Sequence, residues 1–484
     1  MDTPLFPALS EPTGREAIRF GDRALTYREL AAVAGRLAGE LSGTSRVAVW
    51  ATPSIETCVG VVAALLAGVP AVPINPKIGE RELAHILGDS APGLVLSAPG
   101  TALPEGFGGI GRIEVGLDVP ATAPKSLPEP DPETPALIIY TSGTTGAPKG
   151  VVLPRRSISS NLDSLATAWE WTGEDVLVHG LPLFHVHGLG IGVLGPLRLG
   201  GTLHHLGSFS TAGIGAELGG PATMMFGVPT MYSRLVADAE ADPELAKAIG
   251  RARLLVSGSA PLPASVHQRI AEATGQLVVE RYGMSETLMN CSVRAAGERR
   301  PGTVGPPVDG VDVRLVDESG APIEGEDDET VGEIEVRGPN LFLEYLNRPD
   351  ATAEAFRDGW FRTGDVATRG KDGYIRIVGR RAIDLIKTGG YKVGAGEVEN
   401  ALLEHPGVAE VAVTGEPDDD LGERIVAWVV PSGEAPSPQE LADHVARLLT
   451  PHKRPRVVHF LDGLPRNDMG KVMKKALSTT APGS

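Results

Sequence analysis

Cysteine is nearly absent from this 484-residue chain, with only Cys58 and Cys291. Two thiols so far apart make neither a disulfide framework nor a zinc site. They fit a reducing compartment, so a cytoplasmic location is expected. A basic excess is absent too: 44 Lys and Arg against 61 Asp and Glu leave a formal net charge of −17. That argues against nucleic acid as a partner, because phosphate backbones are bound by basic faces. Any anionic substrate must be drawn in by local cations against the overall field. Long hydrophobic runs are also missing. The most apolar stretch, residues 58–74, is broken by Gly60, Gly68, Pro70 and Pro73, whereas a membrane span needs about 20 apolar residues. The first 14 residues lack a charged segment followed by an apolar core, so no signal peptide is expected. Nothing marks an internal repeat or an obligate protein partner.

What is present is ordinary globular material, 42% hydrophobic and 22% charged, in a chain too long for one compact core. Short apolar runs (46–50, 71–74, 94–97, 136–140, 223–228, 254–257, 278–280) alternate with helical patterns such as 56–67 and 81–87. This alternation predicts an α/β fold with largely parallel, buried sheets. Residues 121–135 form a Pro-rich connector. Near Val311 the pattern turns to strands and turns, predicting an antiparallel β section that includes 331–337 and 374–378. A small α+β unit follows, with a helix stripe at Val398, Ala401 and Leu402, strands at 411–414 and 425–430, and a helix at 441–449. The expected division is an N-terminal domain over 1–379, a hinge over 380–384 and a C-terminal lid over 385–484.

The strongest local signal is the string Tyr140-Thr-Ser-Gly-Thr-Thr-Gly-Ala-Pro-Lys-Gly150 after an apolar strand. Glycines let backbone N–H groups turn toward an anion. Four hydroxyls and Lys149 add donors and a charge, a composition suited to polyphosphate. It is not a Walker A loop, because Gly150 stands where Ser or Thr should follow the lysine, and Pro148 precedes it.

With this loop the chain resembles the adenylate-forming superfamily of acyl-CoA synthetases, peptide-synthetase adenylation domains and beetle luciferases. Further motifs occur in order: Leu181-Pro-Leu-Phe-His-Val-His-Gly-Leu189, Ser257-Gly-Ser-Ala-Pro261, Tyr282-Gly-Met-Ser-Glu-Thr287, Thr363-Gly-Asp365, Gly379-Arg380 and Pro465-Arg-Asn-Asp-Met-Gly-Lys471. Within the superfamily, Phe184-His-Val-His-Gly188, Glu280-Arg-Tyr-Gly283 and Lys387-Thr-Gly-Gly-Tyr391 look like the actinobacterial malonyl-CoA synthetase group.

The resemblance implies a large N-terminal domain, a small lid and a two-step ATP- and CoA-dependent ligation through an acyl-adenylate. Thr141, Ser142, Gly143, Thr144, Thr145 and Lys149 would hold the β- and γ-phosphates. Glu286, with Thr145, would bind Mg²⁺, a hard ion suited to carboxylate and phosphate oxygens. Tyr282, Gly283 and Met284 would border the adenine, together with Ser259, Ala260 and Pro261. Thr287 would reach the α-phosphate. Asp365 would accept the ribose hydroxyls, supported by Arg380. One residue is inserted between Arg380 and Lys387 relative to the usual pattern, which leaves Arg381 as a rival for that role and the hinge between Arg381 and Asp384. Lys471 would be the catalytic lysine of adenylation, and Gly389 and Gly390 would line the CoA tunnel.

A second carboxylate buried in an acyl pocket needs an ionic partner, and the planar fork of arginine suits it. Arg281 directly precedes Tyr282, and Arg234 lies in Thr230-Met-Tyr-Ser-Arg234. The two predict a clamp for a short diacid, malonate first and methylmalonate as a variant. Arg234 at a helix surface is the plain alternative reading. His185 would gate the pocket from the thiol tunnel, with His187 nearby. Three rival functions stay open: a ligase for acetate or an aryl acid, transfer to a carrier-protein thiol, and a non-catalytic nucleotide sensor.

Overall fold

The computed structural model describes residues 3–121, 127–141, 147–380, 384–389, 391–418, 420–466 and 472–477, without the side chain at 392. Two large sheets carry the N-terminal part. One has eight strands in the spatial order Leu288–Ser292, Val278–Met284, Leu254–Ser257, Met224–Gly227, Val176–His179, Thr202–His205, Glu16–Phe20, Arg23–Thr26. Its inner pairs are parallel and its two outermost pairs antiparallel. The other has seven strands, in the order Glu344–Tyr345, Lys149–Pro154, Pro135–Thr141, Ala71–Ile74, Val47–Trp50, Leu94–Ser97, Gly111–Glu114. Its inner short strands are apolar throughout and buried on both faces, as parallel strands under helices must be.

The helix Ile55–Leu66 sits between these sheets, touching Val47–Trp50 and Leu94–Ser97 on one side and Glu16–Phe20 on the other. It is buried from Ile55 to Leu65 because, past Glu56 and Thr57 in its first turn, its sequence Cys-Val-Gly-Val-Val-Ala-Ala-Leu-Leu is apolar all round. Ser54 caps its first turn by accepting from the amide of Thr57. Each large aliphatic side chain buried here contributes about 1.5–3 kcal/mol of transfer free energy. One continuous core runs from Leu5 to Ile375 through both sheets.

A third, antiparallel sheet joins Asp312–Val316, Gly332–Arg337, Trp360–Arg369 and Phe356–Arg357, with Ile375–Arg380 also on Trp360–Arg369. Beyond residue 384 a fourth sheet (Tyr391–Gly394, Leu385–Thr388, Gly422–Pro431, Val408–Asp418, Val457–Phe460) packs with helices Ala395–Leu403 and Pro438–Leu448 around its own core, Ile386 to Val445.

Two local features differ from the pattern read in the sequence. The residues after the phosphate loop form a strand, Lys149–Pro154, antiparallel to the one before it with Thr141 opposite Lys149. An N-terminal hairpin, Glu16–Phe20 with Arg23–Thr26, was not signalled, since its strands are short and half polar.

Candidate active site

The antiparallel pairing of Pro135–Thr141 with Lys149–Pro154 sets both ends of the phosphate loop, Thr141 and Lys149, opposite one another. Ser142, Gly143, Thr144 and Thr145 lie outside the described residues. The Lys149 ammonium sits 4.1 Å from the ring centroid of Tyr345. The Tyr345 hydroxyl donates to Glu286 Oε1 at 2.9 Å. Glu286 is buried, and burial raises its carboxyl pKa above the ordinary value. Among the described residues no cation forms an ion pair with it. A buried carboxylate short of positive charge suits a divalent cation brought in with phosphate.

The Tyr282-to-Thr287 segment begins inside the buried strand Val278–Met284 and reverses sharply into Leu288–Ser292. Gly283 permits the reversal, since a Cβ there would lie 1.9 Å from the carbonyl oxygen of Leu288. Thr287 is fully buried, and Met284 half-buried. Tyr282 donates its hydroxyl to Asp365 Oδ2 at 2.5 Å, and Arg380 Nε lies 2.8 Å from Asp365 Oδ1. Strand register explains the second contact, because Asp365 and Arg380 are paired across Trp360–Arg369 and Ile375–Arg380. Arg380 therefore holds Asp365; its rival Arg381 lies outside the described residues. Ser259, Ala260 and Pro261 form an exposed loop beside this group, with Ser259 at φ +71°. A left-handed serine is uncommon.

Arg281 projects from the neighbouring position of the same strand as Tyr282 and is 6% exposed. Burial lowers its pKa to about 10, so it remains a cation near neutral pH. Its Nη2 has no hydrogen-bond partner among the described residues, and neither has His187 Nε2. His187 is buried, its Nδ1 is 3.3 Å from Ser259 Oγ, and burial followed by the charge of Arg281 pushes its pKa well below the ordinary value. His185 starts the π-helical turn Val186–Ile191, and burial lowers its pKa to about 4. Both imidazoles are neutral near pH 7, so Arg281 is the cation of this group.

The expectation that Arg234 shares the buried pocket is not met. On the helix Pro229–Ala241 the residues Tyr232, Leu235 and Val236 turn inward. Arg234, two positions from Tyr232, falls roughly 200° round the helix and is exposed. Gly389 is exposed at φ +56°, its amide donating to the carbonyl of Leu421. Gly390 and Lys471 lie outside the described residues. Tyr345 escaped the sequence reading: it is 59 residues from Glu286, and nothing near it in sequence signals the contact.

A large α/β domain, a smaller C-terminal unit and a Tyr282–Asp365–Arg380 cluster are the frame of an adenylate-forming enzyme. The AMP-binding enzyme family matches residues 7–346 and the AMP-binding enzyme C-terminal domain matches 397–471; the chain belongs to this family. It is 38% identical to a malonate–CoA ligase of Arabidopsis thaliana, over 91% of this chain and 78% of that one. A solved malonyl-CoA ligase ternary product complex with methylmalonyl-CoA and AMP bound is 63% identical, covering 95% and 100% of the two chains with a TM-score of 0.75. ATP-bound MatB from Rhodopseudomonas palustris is 36% identical, covering 99% of each chain with a TM-score of 0.90.

Proposed function

We propose that this enzyme ligates malonate to coenzyme A through malonyl-AMP, giving malonyl-CoA, AMP and pyrophosphate, and accepts methylmalonate. The observation that carries the choice of acid is Arg281. A buried guanidinium with an unpartnered Nη2, beside an unpartnered His187 nitrogen, is costly unless an anion completes it. The far carboxylate of a short diacid would do so. A monocarboxylate would leave the charge buried and unpaired. Arg234 keeps a substrate role only from the solvent side.

In the first step a malonate oxygen attacks the α-phosphorus of ATP and the bond to pyrophosphate breaks. Lys149 and the loop hydroxyls from Thr141 to Thr145 hold the leaving phosphates, and Thr287 faces the α-phosphate. Asp365 takes the ribose hydroxyls, and Tyr282 the adenine face. Lys471, carried by the lid, bridges carboxylate and phosphate, where its charge counts most in a closed, dry site. Glu286 and Thr145 would hold Mg²⁺, which when bound would supply positive charge against the phosphates. In the second step the CoA thiol gives its proton to water, sulfur attacks the malonyl carbonyl carbon, and the acyl carbon–oxygen bond breaks so that AMP leaves with the oxygen and the electron pair. His185, neutral at working pH, gates the thiol path without competing with Arg281 for the substrate, and the backbone of Gly389 and Gly390 lines that path.

We place the hinge at 380–384, between a core that ends at Ile375 and one that begins at Ile386. Among the described residues no helix is long and apolar enough to cross a membrane; a cytoplasmic site of action fits the unpaired cysteines.

The test is AMP release and thioester formation with ATP, Mg²⁺, CoA and a panel of malonate, methylmalonate, acetate and an aryl acid. Malonate or methylmalonate should lead by roughly 100-fold in kcat/KM, as a charge-paired site discriminates. Comparable values for acetate would overturn the assignment.

A further inference from the structure

We infer that Tyr345 is a positioning residue for adenylation, locking the Glu286 carboxylate and the Lys149 ammonium into one arrangement. The inference rests on the roles proposed above for those two groups. One face of its ring lies under Lys149 and its hydroxyl donates to Glu286 Oε1 at 2.9 Å. No other described side chain makes both contacts.

The backbone around Tyr345 is tied to the same two places. The amide of Phe342 donates to the carbonyl of Glu286 at 2.9 Å. Those of Leu343 and Leu346 donate to the carbonyls of Val152 and Gly150, each at 2.8 Å. The strand Glu344–Tyr345 pairs with Lys149–Pro154, placing Tyr345 opposite Val151. Thr352 Oγ1 accepts from the Tyr345 amide at 3.0 Å, and Phe342 packs against the ring at 4.8 Å between centroids. The side chain is therefore clamped from behind, with its hydroxyl and ring face turned to the site.

Its chemistry fits the task. A phenol is neutral near pH 7, so it orients the carboxylate without cancelling the charge a metal ion needs. An arginine or lysine there would neutralise Glu286. The electron-rich ring face attracts an ammonium, holding Lys149 pointed at the phosphates while leaving its N–H donors available. Groups that hold a metal ligand in this way commonly change metal affinity 10–100-fold when removed.

The experiment compares Tyr345→Phe, Tyr345→Leu, Glu286→Gln and the Glu286→Gln/Tyr345→Phe double variant. Mn²⁺ binding in the presence of a non-hydrolysable ATP analogue is read by electron paramagnetic resonance, and KM for ATP by pyrophosphate exchange. Tyr345→Phe should weaken Mn²⁺ binding roughly tenfold with KM for ATP within about twofold, because the ring stays. Tyr345→Leu should raise KM for ATP as well. Added to Glu286→Gln, the Phe change should cost nothing further. Wild-type Mn²⁺ binding in Tyr345→Phe, or full additivity in the double variant, overturns the inference. Glu286→Gln with wild-type Mn²⁺ binding overturns the metal role of Glu286 and the inference with it. If Tyr345→Leu does not fold, the Phe arm still decides.

Discussion

The guanidinium of Arg281 occupies the space that a side chain on residue 258 would take: a Cβ there would lie 2.1 Å from Arg281 Cζ and 2.3 Å from Nε. Gly258 is thus the clearance that lets the cation reach its place. Gly258→Ala should displace the guanidinium, not the ATP groups. Malonate kcat/KM is expected to fall roughly tenfold or more, about 1.4 kcal/mol, with KM for ATP nearly unchanged. Steady-state kinetics with each substrate varied in turn check this; equal losses for malonate and ATP would show a general disturbance of the loop.

The Asp365 carboxylate holds Tyr282 and Arg380 together. Asp365→Asn removes the charge facing Arg380 and replaces one acceptor with a donor. Hydrogen bonds to charged groups contribute about 1.5–3 kcal/mol, so KM for ATP should rise roughly 10–100-fold. Tyr282→Phe, which leaves the Asp365–Arg380 pair intact, should cost much less.

Stability should depend on pH in two opposing ways. Burial lowers His185 and His205 to about 4, and His179 and His187 well below 6.5. Their unfolded forms bind more protons below pH 6.5, so the stability they lend is complete above 6.5 and lost as pH falls toward 4. Burial raises Glu280 to about 7, although it accepts from the amides of Leu262 and Gly302. Its contribution is complete below pH 4.5 and lost as pH rises through 7, up to about 3 kcal/mol. The two contributions oppose one another between pH 4.5 and 6.5, so thermal midpoints should rise over this range more steeply in Glu280→Gln than in the wild type. An unchanged slope in Glu280→Gln would contradict the Glu280 assignment.

Lys474 Nζ lies 2.6 Å from both Asp384 Oδ1 and Glu399 Oε1, joining the short C-terminal helix to the proposed hinge and to the helix Ala395–Leu403. Burial would lower its pKa, but the two carboxylates outweigh it and the pKa is raised. Lys474→Met leaves two carboxylates facing each other, so the C-terminal unit should lose about 3 kcal/mol. Hydrogen exchange at 384–403 should quicken accordingly.

The phosphate loop, Glu286, Asp365 and Tyr282 were legible in the sequence because each lies in a short string whose composition carries its chemistry. Arg281 was legible only as the neighbour of Tyr282. Inner strands such as Val47–Trp50 and Met224–Gly227 were legible as apolar runs with no alternation. The pairing of Thr141 with Lys149, the clearance at Gly258, the Tyr345 bridge and the Lys474 pairs were not. Each depends on residues that meet only after the sheets assemble, and pattern along the chain carries no register between distant strands. Arg234 was legible as a cation beside a motif, but its exposed place on the helix Pro229–Ala241 was not.

The most direct test of the diacid assignment is the ratio of kcat/KM for malonate to that for acetate in Arg281→Ala, read by AMP release with ATP, Mg²⁺ and CoA. The buried cation predicts that the ratio collapses by roughly 100-fold or more, with a far smaller change in the acetate value. A ratio equal to the wild-type one would show that Arg281 does not hold the second carboxylate.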